Sequence, residues 1–123
     1  MRILGCFLLL VLTGHAWGQV TAKDVRDYEA GCKRGDGLAC GALGEAYEDG
    51  EGVKQDKFKA AELFTKACDL RDGTGCSNLG AMHFGGEGVR LDQRRALELF
   101  GKACDLKEEK GCKGYAMLKN QGL

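Results

Sequence analysis

The 123-residue chain has no proline and only two histidines, and its 18 basic side chains are balanced by 18 acidic ones. A lack of proline suits a helical chain, because proline breaks helices. The balanced charge argues against binding to nucleic acid or to an anionic membrane through a strong electrostatic field. No apolar run reaches the roughly 20 residues that a membrane-spanning helix needs. After residue 18 the chain keeps one histidine, His83, and one serine, Ser77.

This scarcity leaves few side chains for catalysis. The sequence contains no Ser-x-x-Lys, no Gly-x-Ser-x-Gly and no His-x-x-x-His, which are typical of serine hydrolases and zinc hydrolases. Zinc sites favour close spacings such as Cys-x2-Cys, and this spacing does not occur. We therefore nominate no catalytic residue, no metal ligand and no cofactor.

The first 18 residues have the pattern of a secretory signal peptide. Arg2 is the only charged residue among the first 22, an apolar run follows it, and small residues stand at the two positions that a signal peptidase inspects. Cleavage before Gln19 would leave residues 19–123 as one secreted or periplasmic domain. It would also remove Cys6, so that six cysteines remain, an even number suited to disulfide bonding.

The six remaining cysteines mark a repeat of 36 residues. They form three pairs whose partners are eight positions apart, namely Cys32 and Cys40, Cys68 and Cys76, and Cys104 and Cys112. Longer segments recur at the same interval, since Leu43-Gly44, Gly50-Glu51-Gly52-Val53 and Glu62-Leu63-Phe64 return as Leu79-Gly80, Gly86-Glu87-Gly88-Val89 and Glu98-Leu99-Phe100. A repeat of this length indicates an array of stacked units.

Apolar spacing within the repeat predicts two helices per unit. Helix B is expected at 57–70 and 93–106, helix A at 39–49, 75–85 and 111–120, and a first helix at 22–33. Asp56 and Asp92 are predicted N-caps, and Thr21 with Asp24 resembles a capping box. Gly44 and Gly80 each cost about 1 kcal/mol in mid-helix. Their recurrence predicts a close approach of the partner helix. The chain is therefore expected to be all-α, a short right-handed αα-solenoid of two full repeats and one partial repeat after the first helix.

Symmetry leaves two disulfide patterns out of the 15 that six cysteines allow. One joins the two cysteines of each eight-residue pair and ties the end of one helix to the start of the next. The other joins Cys40 to Cys68 and Cys76 to Cys104, which leaves Cys32 and Cys112 as free thiols. We prefer the first pattern, because an oxidising compartment disfavours lone thiols.

The Leu-Gly-x-x-Tyr at residue 43, the Gly-x-Gly-Val at residue 50 and the Lys-Ala-Cys at residue 66 resemble the Sel1-like repeat, a relative of the tetratricopeptide repeat. With a Cys-x7-Cys at every joint, the segment from Cys32 to Gly114 resembles the Helicobacter cysteine-rich (Hcp) family of secreted proteins. His83 departs from the pattern, where tyrosine is usual, as do Tyr115 and Ala116. The resemblance implies either a binding module for a protein, peptide or peptidoglycan-like ligand, or a slow β-lactamase for which the chain offers no catalytic residue.

In the tetratricopeptide-like stack that the resemblance implies, helix A lines the concave face. Positions where helix A differs between units are therefore the candidate ligand contacts, and these are Glu45, Glu48, Ser77, Asn78, His83, Phe84 and Lys113. Ser77 and Asn78 lie near a helix N-terminus, which favours an anionic group. Simpler readings stay open: His83 fills the core slot of Tyr47, Asn78 caps its own helix, Phe84 packs in the core, or the domain is a spacer without a ligand.

Overall fold

The computed structural model describes residues 18–123, which fold into six α-helices without a strand in that range. The helices are α1 (Ala22–Lys33), α2 (Gly37–Asp49), α3 (Lys57–Asp69), α4 (Gly73–Gly85), α5 (Gln93–Asp105) and α6 (Glu109–Asn120). The all-α prediction is confirmed, and every helix boundary lies within two residues of the predicted one. The predicted signal peptide lies almost wholly outside the described residues and stays a prediction.

Side-chain caps begin five of the six helices. Thr21 and Asp24 form the predicted capping box, with the Thr21 amide donating to the Asp24 carboxylate at 2.8 Å. Asp56 and Asp92 accept from the third backbone amide of α3 and α5, each at 3.0 Å. Asp36 and Asp72 cap α2 and α4 in the same way, although the sequence reasoning did not single them out. Glu108 precedes α6 and makes no cap hydrogen bond.

The helices alternate between two types along the chain. We call α2, α4 and α6 the A-type helices and α1, α3 and α5 the B-type helices. Each A-type helix packs against the B-type helices that flank it in sequence, and the A-type helices also contact one another, α2 with α4 and α4 with α6. This is the predicted solenoid. Within residues 18–123 no helix has both the length and the apolar character that crossing a bilayer requires.

Two glycines allow this close packing, as predicted. A Cβ atom placed on Gly44 would lie 2.6 Å from the ring of Phe64, and one placed on Gly80 would lie 3.0 Å from the ring of Phe100. Phe64 is fully buried and Phe100 is 6% exposed. The aromatic ring of each repeat therefore packs directly on the backbone of the preceding A-type helix.

Three disulfides close the joints between B-type and A-type helices. They join Cys32 to Cys40, Cys68 to Cys76, and Cys104 to Cys112. This is the preferred pattern of the two that symmetry allows. The first two disulfides are buried, whereas the third is half-buried at the C-terminal end of the stack. Several disulfides in one small domain are typical of proteins that function outside the cytoplasm.

Candidate functional site

The A-type helices form the inner side of the solenoid. They touch their neighbours directly, and no comparable contact joins the B-type helices of the described chain. A row of helices that is closer on one side curves toward that side, so the surface of α2, α4 and α6 is the concave one. We call this surface the inner face.

Two of the predicted ligand contacts meet on the inner face. The side-chain amide of Asn78 on α4 donates to Glu45 Oε1 on α2 across 3.2 Å. Glu45 is exposed and Asn78 is half-buried. The pair links adjacent repeats and leaves one carboxylate oxygen and part of the amide free to bind something else.

Glu48 lies one turn beyond Glu45 on α2 and is half-buried. Burial raises the pKa of the Glu48 carboxyl above its usual range, and the neighbouring carboxylates of Asp49 and Glu45 raise it further. Lys57 opposes this effect, but its ammonium group is held by Glu87 at 2.8 Å. This part of the inner face is therefore acidic, and a cation placed there would relieve the repulsion between carboxylates.

Ser77 does not belong to the exposed surface, which corrects its place among the predicted contacts. Its side chain is 4% exposed, because a small residue at this position lets α4 pack closely within the stack. The anionic ligand predicted at the start of α4 is also disfavoured. The Asp72 carboxylate already accepts from the Gly75 amide there at 3.2 Å and would repel another anion.

His83 and Phe84 face the body of the protein at the C-terminal end of α4. His83 is half-buried, and its Nδ1 lies 3.2 Å from the carbonyl oxygen of Arg90 in the following loop. Phe84 packs against a cluster formed by Ala96, Phe100 and Leu118. The packing of Phe84 matches the simpler interpretation, in which it belongs to the core, whereas the His83 ring contacts the loop that follows α4.

Lys113 lies apart from the other candidates. It is exposed on α6 and forms an ion pair with Glu109, one turn earlier, at 3.0 Å. An exposed pair of this kind contributes little to stability. Of the seven predicted contacts, the structure thus links only Glu45 and Asn78 by a direct bond and places Glu48 beside them.

A groove at the N-terminal end of the stack was missed by the sequence reasoning. It has a volume of about 420 Å³ and lies between α1 and α2. We call it the end groove, lined chiefly by Tyr28, Gly31, Arg34, Asp36, Leu38 and Ala42. Comparing α1 with α3 and α5 at the repeat interval could have found it, because Tyr28 takes the position of the buried Phe64 and Phe100.

The described residues contain no group of three or more histidine, cysteine, aspartate or glutamate side chains placed to hold a metal ion. The buried position of Ser77 leaves its hydroxyl group closed to a surface ligand.

Comparison with known proteins gives the same architecture. A family model described as Sel1 repeat matches residues 37–72 and 74–108. Helicobacter pylori cysteine rich protein B (hcpB) matches at 38% identity with a TM-score of 0.70, over 72% of this chain and 67% of that protein. A protective antigen present in uropathogenic Escherichia coli strains matches at 29% identity and a TM-score of 0.78, over 83% of this chain and 22% of that one.

A Sel1 repeat protein from Oxalobacter formigenes matches at 20% identity with a TM-score of 0.75, over 80% of this chain and 40% of that protein, which shows a shared fold alone. No curated protein matches the chain in a sequence comparison. The two matched repeats cover α2 to α5, and the three disulfides lie one repeat apart. The chain belongs to the Sel1 repeat family, as an Hcp-like protein and a protein-interaction repeat module.

Proposed function

We propose that this protein is secreted and binds a protein or peptide segment on its inner face, centred on Glu45 and Asn78. Its three disulfides and the predicted signal peptide support an extracytoplasmic location. Its membership of a repeat family supports the binding role, because helical solenoids recognise partners through an extended concave surface.

The observation that supports the position of the site is the 3.2 Å hydrogen bond between Asn78 and Glu45. It connects two repeats at a polar, accessible point of an otherwise tightly packed row of helices. Helices held by neighbours on both sides lose little conformational freedom when a ligand binds, so their side chains are suited to recognition.

The chemistry around this pair favours a ligand that donates hydrogen bonds or carries positive charge. Glu45, Glu48 and Asp49 place three carboxylates along one side of α2. Backbone N–H groups and lysine or arginine side chains of a peptide are suitable partners for them. A peptidoglycan-like ligand offers similar amide donors through its peptide stems, and we treat it as the alternative ligand of the same surface.

The test is capture of partners from cell-envelope fractions and host surface proteins by the mature protein and its variants. Glu45→Lys reverses the charge at the centre of the site and is expected to weaken capture at least tenfold. Asn78→Ala removes one donor and is expected to weaken it severalfold. Thermal stability should change little, because the Glu45 side chain is exposed and the Asn78 amide is only half-buried.

Glu62→Lys is the matched control, since Glu62 is exposed on the B-type helix α3 and the change in charge is the same. It should leave capture unchanged. Capture that survives both Glu45→Lys and Asn78→Ala would place binding elsewhere. Capture that fails equally with Glu62→Lys would indicate a non-specific charge effect.

A further inference from the structure

Inside the molecule, α2 packs against a surface formed by α3 and the turn that follows it, and we call this surface the seat of α2. Three glycines of α2, four and then three residues apart, face this seat. A Cβ on Gly37 would lie 3.0 Å from Leu70 Cβ, and one on Gly41 would lie 2.5 Å from the Asp72 carboxylate. Gly44 rests on the ring of Phe64. Larger side chains at these positions would push the two helices apart.

The same seat recurs one repeat later, where α4 lies on α5. A Cβ on Gly73 would lie 3.2 Å from Leu106 Cβ, and Gly80 rests on the ring of Phe100. Ser77 stands between them and is buried. Both α2 and α4 therefore carry a ridge of small residues at positions i, i+4 and i+7.

The end groove is a third copy of this seat. Tyr28 of α1 takes the place of Phe64 and Phe100, and Asp36 takes the place of Asp72. No helix within residues 18–123 covers it, and its volume is about 420 Å³. Leu38 at its edge is 73% exposed, whereas Phe64 and Phe100, the aromatic rings beneath the two filled seats, are buried.

We propose that the end groove is a docking site for a helix of a partner protein that carries glycine, alanine or serine at positions i, i+4 and i+7. The proposal rests on continuity with the interfaces already present in the molecule, because the same surface receives such a helix twice. It does not depend on the proposed role of Glu45 and Asn78.

A second copy of this chain is not the occupant. Its α6 is the A-type helix with one side uncovered in the described chain, and stacking it on the end groove would continue the solenoid in phase. The ridge positions of α6 are Glu109, Lys113 and Ala116. A glutamate at the position of Gly37 and Gly73, or a lysine at that of Gly41 and Ser77, is too large for places where the two filled seats hold nothing larger than serine.

The edges of the end groove give it its own charge pattern. Asp27 and Arg34 occupy the positions that leucine holds in the filled seats, at Leu63 and Leu70. Asp27 pairs with Lys23 at 2.8 Å, whereas Arg34 forms no ion pair within the described part of the chain. The partner helix should therefore present a carboxylate near Arg34. The charged edges also keep the uncovered groove compatible with water.

The experiment uses a stapled helical peptide with the sequence of residues 36–49, in which Cys40 is replaced by alanine and Asp36 supplies a carboxylate at the end that lies near Arg34. Titration into the 15N-labelled mature protein should move the amide signals of Tyr28, Arg34 and Leu38. A control peptide with leucine in place of the glycines at ridge positions 41 and 44 should bind at least tenfold more weakly. Equal binding of the two peptides would overturn the proposal.

Two protein variants and one control variant complete the test. Ala42→Trp fills the end groove and should weaken peptide binding at least tenfold, and Arg34→Glu, on the exposed rim, should weaken it severalfold without unfolding. Asn78→Ala should leave it unchanged, which separates this site from the inner face. The absence of any signal change at about 1 mM peptide, a concentration that detects even weak binding, would also refute the proposal. Changes confined to α6 would refute it as well.

Discussion

At the scale of single residues, the fold depends on positions where no side chain fits. Gly44 and Gly80 each lie beneath a buried aromatic ring, and the rings leave no room for a methyl group. Glycine in mid-helix is unfavourable in isolation by about 1 kcal/mol. The packing of Phe64 and Phe100 offsets that cost, because these rings fill the centre of the core.

Gly80→Ala is expected to destabilise the protein by about 1–3 kcal/mol, because the new methyl group would crowd the Phe100 ring. Gly85→Ala is the control on the same helix, where a Cβ meets nothing nearer than 3.9 Å. That change should be neutral or slightly stabilising. Urea unfolding measures both, and an equal effect of the two changes would contradict the packing argument.

Asp72 should make stability depend on pH. Burial raises the pKa of its carboxyl, Glu108 and Asp36 raise it further, and hydrogen bonds from Gly75 and Thr74 oppose the rise. The folded state thus binds this proton more tightly than the unfolded chain does, so this contribution is present at pH below about 4, the usual aspartate pKa. It is lost as the pH rises through the higher pKa of the folded state.

Asp72→Asn keeps a capping side chain but removes the charge. It should therefore raise Tm at pH 7, and the gain should shrink toward pH 3. Asp92→Asn is the control, because Asp92 caps α5 in the same way and is exposed. Thermal melts of both variants at pH 3 and pH 7 measure these changes in Tm. A gain of equal size at pH 3 and pH 7 would show that the charge of Asp72 is not its cause.

At the scale of helices, each joint from a B-type to an A-type helix contains one residue in the left-handed region of backbone conformation and one disulfide. Gly35, Arg71 and Lys107 have φ values of 86°, 67° and 68°. Arginine and lysine are strained in this region, whereas glycine is not. Disulfides between cysteines eight positions apart enclose these turns and help to hold them.

Replacing both Cys68 and Cys76 by alanine is expected to destabilise the protein by about 2–5 kcal/mol, since a short closed loop is released in the middle of the stack. Replacing Cys104 and Cys112 should cost less, because that joint is half-buried and has a helix pair on one side only. Urea unfolding provides the comparison. Non-reducing peptide mapping that recovered Cys40 linked to Cys68 would contradict the pairing itself.

At the scale of the whole molecule, the two ends of the solenoid differ from its middle. Leu43 and Leu79 are buried beneath the next B-type helix, whereas Tyr115 at the equivalent position is 41% exposed. At the other end, Asp27 and Arg34 replace leucines. The N-terminal end therefore has charged edges and the C-terminal end an exposed aromatic ring, so each end has its own surface chemistry.

The mature protein is expected to begin at or near Gln19 and to be exported, because the first 18 residues match a signal peptide. Intact-mass analysis of the extracellular or periplasmic fraction should give the mass of residues 19–123 less six hydrogens for the three disulfides. Changing Ala16 to a bulky residue should block processing. A secreted species that retains Met1 would rule the prediction out.

Periodicity in the sequence was enough to predict the all-α fold, the six helices, the capping by Thr21, Asp56 and Asp92, and one disulfide at every joint. These features depend on residues close together in the chain and on their recurrence every 36 positions. The sequence also indicated close packing at Gly44 and Gly80, because an unfavourable mid-helix glycine occurs twice, 36 positions apart. The preferred disulfide pattern needed only the symmetry of the repeat, the count of cysteines and the assumption of an oxidising compartment.

Only the tertiary structure decided which residues reach the surface. Ser77 differs between units as a ligand contact would, yet it is buried, because its place in the ridge of α4 depends on how α5 packs against it. The bond from Asn78 to Glu45 spans 33 residues, and the end groove exists because no helix of the described chain covers the N-terminal side of α1. Such features arise from contacts between helices distant in sequence, and a local pattern does not record them.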